Sequence, residues 1–282
     1  MKILVPTDFL MYADFALDAA IQIAKKNKGE IHLYHSAQIP DDWEDFPAEL
    51  RYKDSSNKKI TLWVRDKLNA LCLSVRQQGI DCKSHYTGGK FVNNIQELFF
   101  ENDFDLVVMG SHGASGKEEW FLGSNTQKVI RKLHCNVLVV KNKINIDHFK
   151  NVVFVTGLDN SCEVALKNFL KFISPFSIEQ LHIMTVNTSS FFTQPAILVE
   201  SVLKDLKEIP RGYNVQTHFY PDDPIDLGIK HFSEEYKVDL IGISNIKRHP
   251  IKRIFQGSTV EMCVNHSHIP VLSIDINQEK DA

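Results

Sequence analysis

Three glycines stand where a phosphate could be held. Ser111 and His112 separate Gly110 from Gly113, and nine residues then lead to Gly123, followed by Ser124, Asn125 and Thr126. Before them, Leu106 to Met109 is an apolar run of strand length; after them, Ser124 to Arg131 reads as a helix. The order is strand, glycine loop, helix N-terminus. Glycine lets backbone N–H groups approach a ligand closely, and the first N–H groups of a helix have no partner inside it. With the helix dipole they form an anion site suited to phosphate. A loop that needs glycine only to turn would explain two of these positions. Three at this spacing, with Ser and Thr after the last, favour phosphate.

In open α/β sheets, ligands bind outside the carboxyl ends of the strands, where strand order reverses. Three segments fall at such ends: Pro6-Thr7-Asp8, Ser36-Ala37, and Met109 to Gly113. Asp8 could accept hydrogen bonds from a ribose. Phosphates would repel it, so it suits the sugar end of a nucleotide; without the glycine loop, a capping role would be the simpler reading. Backbone near Ser36 could meet a base edge. His112 lies within the loop and could donate to a phosphate. General acid–base work would also need a nucleophile and an orienting group, and neither is apparent, so no catalytic residue is expected. A P-loop, with its Gly-Lys-Ser/Thr ending, does not occur, which argues against a motor-type ATPase. His266 and His268 have the spacing of a metal pair on a strand, but without a third ligand they make a poor zinc site; no metal ligands are expected. Cys72, Cys82, Cys135, Cys162 and Cys263 contain no CxxC pair and read as buried or idle thiols in a reducing cytoplasm. Trp43, Trp63 and Trp120 are scattered and read as packing or partner contacts.

The elements that position these residues follow in alternation. Ile3 to Val5 reads as a strand, Tyr12 to Asn27 as a helix stopped by Gly29, and Glu30 to Ser36 as a second strand. An acidic, proline-containing excursion over residues 39 to 56 leads into a long helix from about Lys58 to Gln78. Strands at Asp81 to Thr87, Asp105 to Met109 and Asn136 to Val140 follow, with helices between them. This alternation predicts a parallel sheet with helices on both faces. After a polar linker, Lys141 to Lys150, the pattern starts again. Leu181-His182-Ile183 echoes Ile31-His32-Leu33, 150 positions on. Thr217-His218-Phe219 echoes Ser84-His85-Tyr86, 133 on. Asp239-Leu240-Ile241 echoes Asp105-Leu106-Val107, and Gly257-Ser258 echoes Gly123-Ser124, both 134 on. The chain is an internal duplication, and the second copy lacks roughly 16 residues of the excursion and long helix. The domains are expected at 1–143 and 148–276.

The net charge of −3 lacks the basic excess of a nucleic-acid partner. No apolar run approaches the ~18 residues of a membrane span. The opening MKILVPTDF reads as a first strand rather than a signal peptide, so a cytoplasmic protein is expected.

The sequence resembles the universal stress protein family in its tandem form. The resemblance rests on Gly110-Ser-His-Gly113, nine residues, Gly123-Ser124, on the opening KILVPTDF and on DLVVMGSHG, and it extends over both copies. It implies two tandem Rossmann-like domains of the adenine-nucleotide α-hydrolase type, each a five-stranded parallel sheet of order 3-2-1-4-5 with helices on both faces. It implies ATP, with AMP or ADP as alternatives and with or without Mg2+. The contacts would come from residues matching Pro6, Thr7, Asp8, Ser36, Met109, Gly110, Gly113, Gly123, Ser124, Asn125 and Thr126, with His112 beside them. Members commonly dimerise, often through the fifth strand, and tandem members tend to mimic that dimer within one chain; a homodimer is a further expectation.

Two departures qualify this. Lys117-Glu118-Glu119 places carboxylates in the loop, where only a divalent cation would reconcile them with phosphates; a solvated loop tip is the simpler reading. In the second copy, Gly110 becomes Ser244, Gly113 becomes Lys247, and Pro6-Thr7-Asp8 is set against Thr156-Gly157-Leu158, with Asp159 one place late. The second copy is expected not to bind ATP. The function expected is an ATP-binding stress-response protein, a nucleotide sensor or regulator with one competent site in the N-terminal domain and at most slow hydrolysis. The alternatives are a scaffold for an apolar ligand or a protein and, less well supported, an adenylating enzyme.

Overall fold

The computed structural model describes residues 1–40, 43, 55–111, 123–188, 195–244 and 259–276. The first half runs β1 Lys2–Pro6, α1 Met11–Asn27, β2 Glu30–Ala37, α2 Ser55–Arg76, β3 Cys82–Gly88, α3 Phe91–Asn102, β4 Leu106–Gly110, α4 Ser124–Lys132 and β5 Asn136–Val140. The second runs β6 Asn151–Val155, α5 Cys162–Ile173, β7 Gln180–Asn187, α6 Ala196–Lys207, β8 Val215–Pro221, α7 Ile225–Glu235, β9 Leu240–Ser244, α8 Thr259–His266 and β10 Val271–Ile274. The central strands β1, β4, β5, β6, β9 and β10 are largely apolar and buried along their length, as parallel strands covered by helices require, whereas the edge strands β3 and β8 are more polar and only partly buried. Among the described residues, no helix is long and apolar enough to cross a membrane.

All ten strands form one sheet, of order β3-β2-β1-β4-β5-β10-β9-β6-β7-β8. Each half has the order 3-2-1-4-5, and its strands are parallel. The halves meet edge to edge, with β5 antiparallel to β10 and Leu138 opposite Leu272. These two residues are equivalent in the duplication (138 + 134 = 272), so the joint is self-complementary, as a two-fold interface must be. Arg131 on α4 grips the buried Glu261 carboxylate on α8 at 2.7 and 2.5 Å. Lys141 Nζ donates to the Asn265 carbonyl at 2.8 Å, near the end of α8 where the helix dipole favours a cation. Burial pushes its amine down to about 8.

The region between the halves is more than polar coil. Ile146 and Phe149 are buried, and residues Ile146–His148 form a 3-10 turn. The Gln22 side chain holds the segment to α1, donating to the Ile144 carbonyl and accepting from the Ile146 N–H, while Lys26 pairs with Asp147 at 2.6 Å.

The two halves pack their first helices differently. On α1, Ala16, Ala19, Ala20 and Ala24 are buried, so its backbone lies close to the sheet. On α5 the buried face carries Phe169 and Phe172 instead. The sheet compensates at Gly242, the counterpart of Val108 (108 + 134 = 242). A Cβ there would lie 2.4 Å from the Phe169 ring. The bulk given up at the strand position makes room for the ring carried by the helix, a compensating exchange that cores tolerate.

Hydrogen-bonded register also corrects the alignment of the two openings. Lys2 pairs with Glu30 in one half, and Asn151 with Gln180 in the other. Thr7 Oγ1 accepts from the Phe9 N–H, and Thr156 Oγ1 accepts from the Leu158 N–H, both at 3.0 Å. Phe9 and Leu158 both have positive φ, 62° and 57°. The offset here is therefore 149 (7 + 149 = 156). Asp8 corresponds to Gly157, and Asp159 stands two places late rather than one. The sequence echo at Ile31 and Leu181 placed it wrongly because the stretch from β6 to β7 is one residue longer than that from β1 to β2.

Candidate functional site

The strand order reverses between β1 and β4, and the expected site lies over their carboxyl ends. The turn after β1 is held tightly. The Thr7 N–H donates to the Tyr34 carbonyl at 2.8 Å, and His35 Nδ1 donates to the Thr7 carbonyl at 2.8 Å. Burial pushes the His35 imidazole below its usual range, so it is neutral; with its Nδ1 proton given to a carbonyl, Nε2 is left as an acceptor. The Phe9 ring lies 4.6 Å from that imidazole and meets Trp63 of α2 edge-on at 5.2 Å. Asp8 is exposed, and one carboxylate oxygen accepts from the Leu10 N–H at 3.0 Å. Asp8 therefore helps to start α1 while keeping a face to solvent, so the capping and ligand readings are compatible.

The predicted residues divide by what the chain itself does with them. Pro6, Met109 and Thr126 are buried; Met109 packs in the core with Tyr34 and Val129. Ser36 donates to the Gly89 carbonyl at 3.0 Å, tying the end of β2 to the turn after β3. Ser124 and Asn125 are exposed on the first turn of α4. His112 and Gly113 lie outside the described residues, as do Trp120, Lys117-Glu118-Glu119 and, in the second half, Lys247 and Gly257-Ser258.

Gly110 and Gly123 turn out to be glycines for different reasons. A Cβ on Gly110 would lie 2.0 Å from the Tyr12 carbonyl oxygen and 2.3 Å from its carbon. The close approach of α1 to the end of β4 therefore demands glycine, whatever binds nearby. In the second half α5 begins only at Cys162, the counterpart of Ala13 (13 + 149 = 162), so it lacks the turn that carries Tyr12. Ser244 is accommodated there, buried, with its hydroxyl unpartnered among the described residues. Gly123 is the opposite case. Its φ of −52° and ψ of 135° suit any residue, and the nearest described atom to a Cβ there would be Thr126 Oγ1, at 3.9 Å. Nothing described in the fold requires this glycine.

Gly123 is also the N-cap of α4 and brings no side chain to cap it. The first turn contains no acidic residue, and the last turn holds Arg131 and Lys132, so the positive end of the dipole is not neutralised by α4 itself. Close by along the chain, Ser111 is buried at the end of β4 with a hydroxyl that has no partner among the described residues. The sequence reading passed over Ser111 because a serine between two glycines carries no signal by type. His35 and Phe9 were also missed, since only the turn geometry brings them beside Asp8.

Of the two histidines at metal-pair spacing, His266 is otherwise engaged: its Nδ1 lies 2.5 Å from the buried Asp226 carboxylate. Among the described residues, no group of three His, Cys, Asp or Glu is placed to hold a metal ion.

A family model described as the universal stress protein family matches residues 1–141. Universal stress protein MJ0531 of Methanocaldococcus jannaschii is 31% identical over 143 residues, covering 50% of this chain and 81% of that protein. Universal stress protein Sll1388 of Synechocystis is 30% identical over 152 residues, covering 50% of this chain and 97% of that protein. The crystal structure of a universal stress protein from Archaeoglobus fulgidus aligns with a TM-score of 0.75 at 20% identity, covering 98% of each chain. The last is a likeness of fold along the whole length, both halves included.

Proposed function

The chain belongs to the universal stress protein family, and on that premise we propose that its N-terminal half is the nucleotide-responsive half, binding one adenine nucleotide. The observation that carries this reading is Gly123. It is a glycine that neither backbone conformation nor packing against described residues requires, at the uncapped, acid-free start of α4. A ligand that needs bare backbone N–H groups accounts for it, and phosphate is such a ligand. The phosphates would lie on the N–H groups of Ser124 and Asn125 and on the loop from His112 to Gly113. The Ser111 hydroxyl, at the same strand end, is a buried donor with no acceptor among the described residues. The ribose would meet the exposed face of Asp8, away from the phosphates. The base would lie toward Phe9, His35 and the backbone at Ser36, where the neutral imidazole offers an acceptor to an amino group.

ATP fits this arrangement, and Mg2+ would reconcile Glu118 and Glu119 with its phosphates. The second half offers Gly157 in place of Asp8 and Ser244 in place of Gly110, so it lacks the sugar carboxylate, and nucleotide binding is assigned to the first half alone. The protein acts as a nucleotide-dependent regulator in the cytoplasm. Because β5 is already paired with β10, any association between chains would use a surface other than the fifth strand.

The test is to denature purified protein and identify what it releases by mass spectrometry, then to titrate the stripped protein with ATP, ADP and AMP. One adenine nucleotide per chain is expected. Two per chain would overturn the assignment to one half. No binding of any of the three would overturn the reading as a whole.

A further inference from the structure

Two of the five cysteines face each other in the first half. Cys72, on the buried side of α2, has its Sγ 2.7 Å from the Sγ of Cys82, the first residue of β3; both are free thiols and both are buried. Arg76, one turn along α2 from Cys72, donates from Nε and Nη2 to the Cys82 carbonyl at 3.1 and 2.5 Å, which fixes the helix end against the strand. We propose that Cys72 and Cys82 form a reversible dithiol–disulfide site, oxidised by a hydroperoxide and restored by a thiol reductant, that staples α2 to β3.

The duplication supplies a comparison. The counterpart of Cys82 is Val215 (82 + 133 = 215), which starts β8 in the same way, and the cysteines of the second half, Cys162 and Cys263, lie on α5 and α8. An ordinary apolar side chain therefore suffices to start this edge strand, and the paired sulfurs are a feature of the first half. Their position also suits exchange with solvent. β3 is an edge strand of the sheet, and the turn that feeds it is tipped by Gly79 at φ +81° with no described atom within 4 Å of its side-chain position. Edges and chain turns open locally at far lower cost than the sheet centre. Brief opening of this turn would admit a molecule as small as a peroxide.

The chemistry balances without a further reactant. Cys72 is the nucleophile: the Cys82 thiol donates a hydrogen bond to it and the Arg76 charge lies near, both of which favour its thiolate, whereas Cys82 is pushed strongly up. The Cys72 thiolate attacks the terminal peroxide oxygen, the O–O bond breaks, and an alcohol or water leaves with Cys72 as sulfenic acid. Cys82 sulfur then attacks the Cys72 sulfur, the S–O bond breaks, and its proton leaves in water as the S–S bond forms. Two thiols and one hydroperoxide give one disulfide, one alcohol and one water. A thiolate reductant reverses the outcome by exchange.

The experiment treats the native full-length protein with a few equivalents of hydrogen peroxide and maps the thiols by mass spectrometry after alkylation. The expected result is a loss of 2 Da reversible by dithiothreitol, a peptide cross-link between Cys72 and Cys82, and free thiols at Cys135, Cys162 and Cys263. The closed loop is short, and the melting temperature should rise by roughly 5–10 °C on oxidation. In Cys82→Val, which copies the second half, Cys72 should be trapped as sulfenic acid by a dione probe and no cross-link should form. The proposal is overturned if the cross-link appears only after the protein is unfolded, or if the other three cysteines oxidise as fast as Cys72.

Discussion

The two described glycines of the loop motif make opposite predictions when each is replaced by alanine. In Gly110→Ala the new methyl would start 2.0 Å from the Tyr12 carbonyl oxygen, against an ordinary contact of at least 3.4 Å. The first turn of α1 must therefore withdraw by about 1.4 Å (3.4 − 2.0). The obstruction is backbone, so no side chain can swing aside, and α1 packs on the sheet along its whole alanine face. Overpacking of this kind costs about 3 kcal/mol, the upper part of the usual range. For a chain of this size that lowers the melting temperature by roughly 6–12 °C. In Gly123→Ala the methyl meets nothing described closer than 3.9 Å, at a φ any residue adopts. The entropy removed from the unfolded chain offsets the poorer N-cap, and stability should stay within about 1 kcal/mol of the parent. Nucleotide affinity should nevertheless fall at least about tenfold, since one displaced charge-assisted hydrogen bond is worth about 1.5–3 kcal/mol. Urea denaturation and calorimetric titration of the same preparations separate the two effects. A Gly110→Ala protein as stable as the parent would refute the packing argument. A Gly123→Ala protein that binds ATP unchanged would refute the phosphate cradle.

Other outcomes follow from the same contacts. His182 on β7 is buried, its Nδ1 lies 2.9 Å from His218 Nε2, and burial followed by the neighbouring His218 pushes it down to about 4. Its contribution to stability is complete above pH ~6.5 and is lost as pH falls through about 4, because the unfolded chain takes up the proton first; urea midpoints across pH 4–7 should show a loss of about 3 kcal/mol from this group. Arg131→Ala takes the guanidinium away from the buried Glu261 carboxylate at the joint of the two halves, and chemical denaturation should report a loss of about 2 kcal/mol, below the fully buried case because Arg131 is itself partly exposed. Gln22→Ala releases the connecting segment from α1 and should speed limited proteolysis between residues 141 and 150 without altering nucleotide affinity. Gly113→Lys, which gives the first half the residue of the second at Lys247, should abolish nucleotide binding while the melting curve stays that of a folded protein.

Local pattern alone determined much of this molecule. Apolar runs bounded by glycine and proline located the strands, and helix periodicity with stops at Gly29 and Gly79 located the helices, because both signals come from the covalent chain and its immediate neighbours. The echo of Ile31-His32-Leu33 in Leu181-His182-Ile183, and of Leu106-Val107 in Leu240-Ile241, revealed the duplication, since two halves that bury the same surfaces keep similar residues at the same steps. Contacts distant in sequence were beyond that reach. Only the assembled sheet decided that β5 and β10 join the halves with Leu138 on Leu272, that Cys72 meets Cys82, and that the opening of the second half is offset by 149. The loop motif shows the division most clearly. In sequence, Gly110 and Gly123 are the same residue in one pattern. In the fold, one is glycine because the Tyr12 carbonyl leaves no room for a methyl, and the other stands open to a ligand. Spacing cannot distinguish these reasons, because the atom that excludes a side chain at Gly110 comes from a helix almost a hundred residues earlier in the chain.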